Sequence, residues 1–328
     1  MWLLIACYLL AVILPGPGIA VRDWSWSSPH FGNIPLASLL LLAVMLFVAA
    51  VLADIEQARI VFRQPIIVLM ALLAVWLGPS LLTVLVGRIL PATVGGEPTV
   101  GLLVGFALIA SMPVANSSVG WPQSAGGNLG LSLTLVVVSI LLSPWITPQL
   151  VSLLGMSLGE SRQQCELLVN QFSGSFFIVW VILPTAAGFA ARQILPTSSI
   201  ELMRPILTLV SAAALLMLNY INSVLALPKA SGSPISVLIT TAVLATSLAA
   251  IGIALALAIT WFFGLRSETR TALMFGLSMK HTGLALILAG AVLSNQPLAI
   301  LLIVLATLMQ HVLAGVVQWW LDRSLAAP

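Results

Sequence analysis

Ten stretches of this chain are each apolar for about the length that crosses a bilayer, and that repetition limits the fold more than any motif does. They fall near 1–19, 36–53, 65–87, 98–117, 128–150, 168–190, 203–226, 235–263, 271–293 and 297–321. In hydrocarbon the backbone must satisfy its own hydrogen bonds, so runs of this kind are expected as helices. The 328 residues are 60% hydrophobic and only 6% charged, too few charges to clothe a water-facing surface. A soluble enzyme and a secreted disulfide scaffold are thereby poor readings. Twelve Lys and Arg against nine Asp and Glu form no basic cluster, which argues against nucleic acid as a partner. Cys7 and Cys165 lie in or beside apolar runs and read as packing residues. The opening Met-Trp-Leu-Leu-Ile-Ala lacks a basic n-region, so the first run is expected as a retained span, shortened by Pro15 and Pro17.

The connectors are short and hold nearly all the charge, which leaves no room for a soluble domain. With the N-terminus in the cytoplasm, inner segments carry Arg59, Arg63, Arg192, Arg204, Arg266, Arg270 and Arg323. Outer segments carry Arg22, Arg88, Arg162 and Lys229, so the excess of positive charge favours both termini inside. The lipid bilayer is then a constant partner, and the resemblance given below implies the cytoplasmic membrane of a bacterium as the location.

Ten spans divide into two halves of five, and five is odd, so the second half is expected to be inverted. The fourth and ninth runs occupy corresponding places, and both are interrupted. Residues 111–128 read Ser-Met-Pro-Val-Ala-Asn-Ser-Ser-Val-Gly-Trp-Pro-Gln-Ser-Ala-Gly-Gly-Asn, and 276–283 read Gly-Leu-Ser-Met-Lys-His-Thr-Gly. Paired irregular stretches at membrane depth point to a transporter's central site, because unwound backbone there needs protein, water or ligand as a partner. The plainer alternative is that Pro113, Pro122 and Gly127 mark kinks or a re-entrant turn with no ligand.

These residues resemble the bile acid:sodium symporter family and its bacterial homologues. The first block carries Ser118, then Ala125-Gly126-Gly127-Asn128, Leu131 and Ser132, with Pro144 and Thr147-Pro148 at the end of its helix. The second runs from Phe275 to Ala285, with Thr282-Gly283-Leu284-Ala285 its best-preserved part, and Asp54 to Pro65 resembles the family's charged connector. The resemblance implies an all-α polytopic fold of ten transmembrane helices in two inverted five-helix repeats, with helices 4 and 9 broken where they cross. The first repeat would cover 1–150, a linker 151–167, and the second repeat 168–328. A panel domain would come from helices 1, 2, 6 and 7 and a core domain from helices 3–5 and 8–10, with substrate between them. Asn170 and Gln171 on the sixth run, and Asn219 and Asn222 on the seventh, would then be panel-side substrate contacts or interhelical hydrogen bonds.

The departures bear on the coupling ion. Where the family's ninth helix has Glu, an apolar residue and Gln-Asn as sodium ligands, this chain has Gly276, Met279, Lys280 and His281. The Ser-Asn pair of the fourth helix reads Ser118-Val119, the Ser and Thr of the fifth read Ser132 and Val136, and the Gln of the third falls at Ala74. Without the family the conclusion is the same: sodium wants hard oxygen ligands, and all nine acids lie in connectors or at helix ends. Conventional sodium coupling is not expected, no cofactor or metal is implied, and a proton is left open as the coupling ion.

An intramembrane lysine implies function by default. Lys280 could replace a cation, held by carbonyls of the broken helix and by Ser118 or Asn116. It could instead be the counter-charge for an anion, carry a proton, or snorkel to an interface without a role. His281 and Thr282 adjoin it, and His311 with Gln310 sits in an otherwise apolar run, either structural or lining the core interior. Trp121 adjoins the first break and reads as a candidate to pack on an apolar ligand. The expected protein is a secondary transporter of a small or amphipathic organic anion, not an enzyme, its oligomeric state open. The alternatives are a non-transporting sensor on the same scaffold and a sodium-coupled symporter with unusual ligands.

Overall fold

The computed structural model describes residues 2–28, 32–53, 64–172, 175–230 and 232–326. Helices α1 (Trp2–Ile13) and α2 (Pro15–Arg22) meet at a 91° bend where Pro15 opens the second. A short antiparallel hairpin, Ser25–Ser28 with Gly32–Pro35, leads into α3 (Leu36–Leu52). There follow α4 (Pro65–Thr93), α5 (Gly96–Ser111), the short α6 (Gly120–Ser124), α7 (Leu129–Ser157) and α8 (Arg162–Phe172). A π-helical turn, Ile178–Ile182, runs into α9 (Leu183–Ile194), and the chain continues through α10 (Thr197–Ser223) and α11 (Ile235–Phe263). The last three are α12 (Ser267–Ser278), α13 (Thr282–Val292) and α14 (Pro297–Ala326).

The expectation of ten spanning helices in two inverted five-helix repeats is not met. Among the described residues five helices, α4, α7, α10, α11 and α14, are long and apolar enough to cross a membrane. The count reaches six if the bent α1–α2 pair is one span. The reason is physical. A hydropathy run does not register whether its helix is continuous, and several runs are cut. The first bends at Pro15, the fourth stops at Ser111, and the ninth splits into α12 and α13. The second, α3, has 17 residues, about 25 Å at 1.5 Å per residue, short of a ~30 Å hydrocarbon core.

Burial separates lipid-facing helices from inner ones. Only 11% of the apolar window of α10 is buried, against 56% for α14, so α10 lies at the lipid face and α14 inside. The half-helices are enclosed more completely: Gly101 to Ser111 of α5 and Thr282 to Gly290 of α13 are buried throughout. That enclosure permits them to end at depth, because their terminal carbonyls and N–H groups meet protein rather than lipid. Close approach of α5 to α14 depends on Gly105, whose added Cβ would sit 2.9 Å from the Ala299 Cα. Helices α1, α3, α9 and α10 form one packed group and α4, α5, α7, α11, α12 and α14 a second, while α13 packs on α14 and α5 of the second group and on α10 and α3 of the first.

Candidate functional site

The two breaks face each other. After α5 the chain is extended from Met112 to Ala115, and after α12 it is extended at Met279. Val114 and Lys280 form an antiparallel bridge, closed by Ala115 N–H donating to Met279 O (3.0 Å) and His281 N–H to Pro113 O (2.9 Å). The remaining N–H groups are also satisfied. Met112 bonds Ile109 O, Val114 donates to Ser139 Oγ (3.0 Å), and Lys280 N–H donates to Gln310 Oε1 (3.1 Å). The Ser111 carbonyl accepts from Thr147 Oγ1 (2.9 Å). The backbone at the breaks is thus held by protein groups rather than waiting for a ligand.

Lys280 completes that arrangement. It is 2% exposed, and its Nζ donates to the carbonyls of Ala110 (3.0 Å), Met112 (3.0 Å) and Val75. An ammonium has three hydrogens, so all are taken. Each carbonyl is available for a sequence reason. Val75 lies four residues before Pro79, which has no N–H to close that helical bond within α4. Ala110 and Met112 sit at or just past the C-terminal end of α5, where carbonyls are orphaned and the helix dipole favours a cation. Ser118 and Asn116 do not take part: Ser118 Oγ and both amide atoms of Asn116 are buried without a hydrogen-bond partner.

Beside the crossing lies a cavity of about 430 Å³. Its deep end is formed by Asn116, Ser117, Lys280, His281 and Thr282, with Thr307, Gln310 and His311 from α14. Apolar walls come from α3 (Met45, Leu46, Val48, Ala49, Ala50) and α7 (Leu133, Val136, Val137, Ile140), and α10 supplies Thr208, Ser211 and Leu215. At its exposed end Arg204, with a side chain 42% accessible, is paired with Glu201 (2.7 Å). Among the described residues no Asp or Glu lines the cavity. The space is apolar along its length and polar at depth, which suits an amphipathic guest.

The other expected residues are placed as follows. Asn128 caps α7, its side chain accepting from Leu131 N–H (3.0 Å), and Ser132 Oγ donates back to Asn128 O (3.2 Å). Gly127 packs against Pro122 and Thr271, while a Cβ on Gly276 would meet Leu135 at 3.0 Å. Met279 is fully buried and contributes its carbonyl to the crossing. None of these five lines the cavity. Asn219 accepts from Tyr8 Oη (2.9 Å) and donates to Leu215 O, and Asn222 donates to Leu218 O and faces Arg22 Nη1 (3.4 Å). Both are interhelical or intrahelical bonds, away from the cavity. Asn170 is exposed on α8, the side chain of Gln171 lies outside the described residues, and so does the connector 54–63. Trp121 stacks on Phe275, with ring centroids 5.9 Å apart.

Sequence reasoning did not single out Arg204 or the Val75 carbonyl. Pro79 was the available signal for the second, since an interior helical proline always frees a carbonyl one turn back. Nothing in the sequence marked Arg204, because its place at the cavity depends on how α10 packs.

Residues 39–231, more than half of the chain, match the profile of the Sodium Bile acid symporter family. The match includes α5, the first break and α7 and ends before the second break. No curated protein matches the chain.

Proposed function

The chain belongs to the Sodium Bile acid symporter family, and from that premise we propose that it is a secondary transporter of a small or amphipathic organic anion, driven without conventional sodium coupling. As a member of a transporter family it is a membrane carrier rather than an enzyme. The observation that carries the coupling reading is the Lys280 ammonium, held by three backbone carbonyls beside the crossing. In the resemblance drawn above, sodium ligands cluster here, and a fixed positive charge does the same electrostatic work without an ion from solution. With all three hydrogens occupied, Lys280 acts on an anion through its field rather than by direct contact. The ligand-facing donors are then Asn116 and His281, deep in an otherwise apolar cavity.

Alternating access is read as rocking of α1, α3, α9 and α10, the panel, against the remaining helices, the core. The cavity lies between the two groups near Arg204, and the opposite end is tied shut. There the Tyr8 hydroxyl of the panel, which donates to Asn219, lies 3.3 Å from Val304 O of α14, and Arg22, on the α2 segment that follows α1, donates to Gly290 O of α13. Arg204 and Asn222 are about 27 Å apart along α10 at 1.5 Å per residue, so the open and tied ends are well separated. With both termini in the cytoplasm, the open end faces inward.

The test is uptake into proteoliposomes of a radiolabelled organic anion, with taurocholate and pyruvate as probes. Equal initial rates in sodium and in choline media, within about twofold, are expected. Uptake strictly dependent on sodium would make Lys280 a neighbour of an ion site rather than its replacement.

A further inference from the structure

We propose that His311 binds a proton together with the transported anion, so that the cavity loads an anion and a proton as one electroneutral cargo. This rests on the reading of the cavity as the transport site. It begins from the three basic side chains that line its deep end, because their hydrogen bonds leave them with different freedoms.

Lys280 has no hydrogen to spare, since three carbonyls take all of them. His281 Nδ1 accepts from Leu284 N–H at 3.2 Å and so caps α13. A ring nitrogen that accepts carries no hydrogen, so His281 has its single hydrogen on Nε2 and can only donate to a ligand. Taking a second proton would require the lone pair that caps the helix. His311 is arranged the other way. Its Nδ1 lies 2.7 Å from Thr307 O, which can only accept, so Nδ1 carries the hydrogen and Nε2 keeps its lone pair. Protonating Nε2 breaks no bond that the fold uses. Among the described residues His311 therefore offers the one basic atom at the cavity that is not already committed.

The charges around it explain why proton and anion should arrive together. From the crossing come Lys280 and His281, and from α10 comes Arg204, held by Glu201 at the exposed end. From α1 comes Tyr8, its hydroxyl bonded to Asn219. The lining residues of α3, α7 and α9 are not titratable, and among the described residues no carboxylate lines the cavity. In the empty cavity the positive field of Lys280 opposes a second positive charge on His311. A bound anion cancels that opposition, and by linkage the proton strengthens binding of the anion by the same factor. Loaded and empty cavities then carry equal net charge, which limits the penalty of burying the cargo while the domains rock. The Nε2–H bond forms with a proton from one side of the membrane and breaks to the other, with no electron transfer.

The chain has three histidines, so ¹⁵N-imidazole labelling of the protein in lipid gives three ring signatures, assigned with His281→Gln and His311→Gln. Between pH 8 and pH 5, with and without taurocholate, His281 is expected to keep a single hydrogen on Nε2. His311 is expected to pass from one ring N–H to two, at least when taurocholate is present. A His311 that keeps one ring hydrogen in every sample, or has a bare Nδ1, overturns the proposal. In proteoliposomes an inward gradient of one pH unit is expected to raise taurocholate accumulation up to about tenfold, the limit for one proton per anion. Taurocholate is a sulfonate that stays ionised, so leakage of a neutral acid does not imitate the effect. The ratio of uptake with and without the gradient is expected to fall to about one in His311→Gln and to persist in His281→Gln. Sodium-independent uptake unmoved by the gradient leaves the transporter reading standing and overturns this one. A His311 that gains its proton with taurocholate while no probe is taken up overturns the transporter reading instead.

Discussion

Replacing Lys280 with Met is expected to destabilise the protein by about 3 kcal/mol and to abolish anion uptake. Two effects oppose each other. Removing the ammonium relieves the cost of keeping a charge in a dry interior, several kcal/mol for an isolated ion. It also strands the carbonyls of Val75, Ala110 and Met112, each losing a charge-assisted hydrogen bond worth roughly 1.5–3 kcal/mol. Methionine matches the length of the stem but offers no donor. The site is almost closed to solvent, so water cannot take the vacated position at little cost. The second effect wins because none of the three carbonyls has an alternative in its own helix: Pro79 removes one partner and the end of α5 removes the others. The measurement is an unfolding transition of the purified protein in lipid, with flux beside it. Lys280→Arg is expected to fail as well, since a planar guanidinium fork does not match three carbonyls converging on one atom. A Met variant as stable and as active as the parent would mean that the ammonium is not what holds the crossing.

The second large effect lies one helix away. Gly252 on α11 sits against the end of α12, and a Cβ there would lie 2.6 Å from the Leu277 carbonyl carbon and 2.7 Å from the Ser278 Cα. Both are backbone atoms and cannot swing aside. Alanine in a helix normally gains 0.5–1 kcal/mol over glycine, but overpacking against rigid atoms costs about 1–3 kcal/mol, so Gly252→Ala is expected to lose about 2 kcal/mol net. The displacement falls on the residues just before Met279 and Lys280, and uptake is expected to drop more than tenfold. Gly78→Ala is the matched control. Its Cβ meets only the side chain of Leu255 on the same α11, which can change rotamer, so its stability is expected to stay within about 1 kcal/mol of the parent. Equal effects at the two positions would show that the crossing is not sensitive to how α11 and α12 pack. The comparison is read from paired unfolding midpoints.

The polar interruptions were legible because they violate the hydropathy around them. Ser-Met-Pro-Val-Ala-Asn and Ser-Met-Lys-His-Thr stand out in apolar sequence, and they are the segments the fold brings together as Met112–Ala115 and Met279–His281. The number of spans was not legible in the same way. Hydropathy sums composition over a window, and composition is the same for one 23-residue helix and for the α12–α13 pair broken at Met279. The polar pairs Asn170–Gln171 on α8 and Asn219–Asn222 on α10 show a further limit. A polar residue in an apolar helix needs a partner, but the sequence does not say whether that partner is a ligand or a neighbouring helix. For Asn219 it is Tyr8, more than two hundred residues away.

From its sequence alone the chain is determined to be an integral membrane protein of many helices, with two weak points in its apolar runs and a lysine at one of them. Those conclusions rest on transfer free energies and backbone hydrogen bonding, which act residue by residue. Only the tertiary structure decided that the lysine points at Val75, Ala110 and Met112 rather than at a substrate. It also decided that His281 and His311 present opposite hydrogen patterns to one cavity, and that Arg204 stands at its exposed end. Each of these depends on which helices pack together over long sequence distances, and no local pattern carries that information.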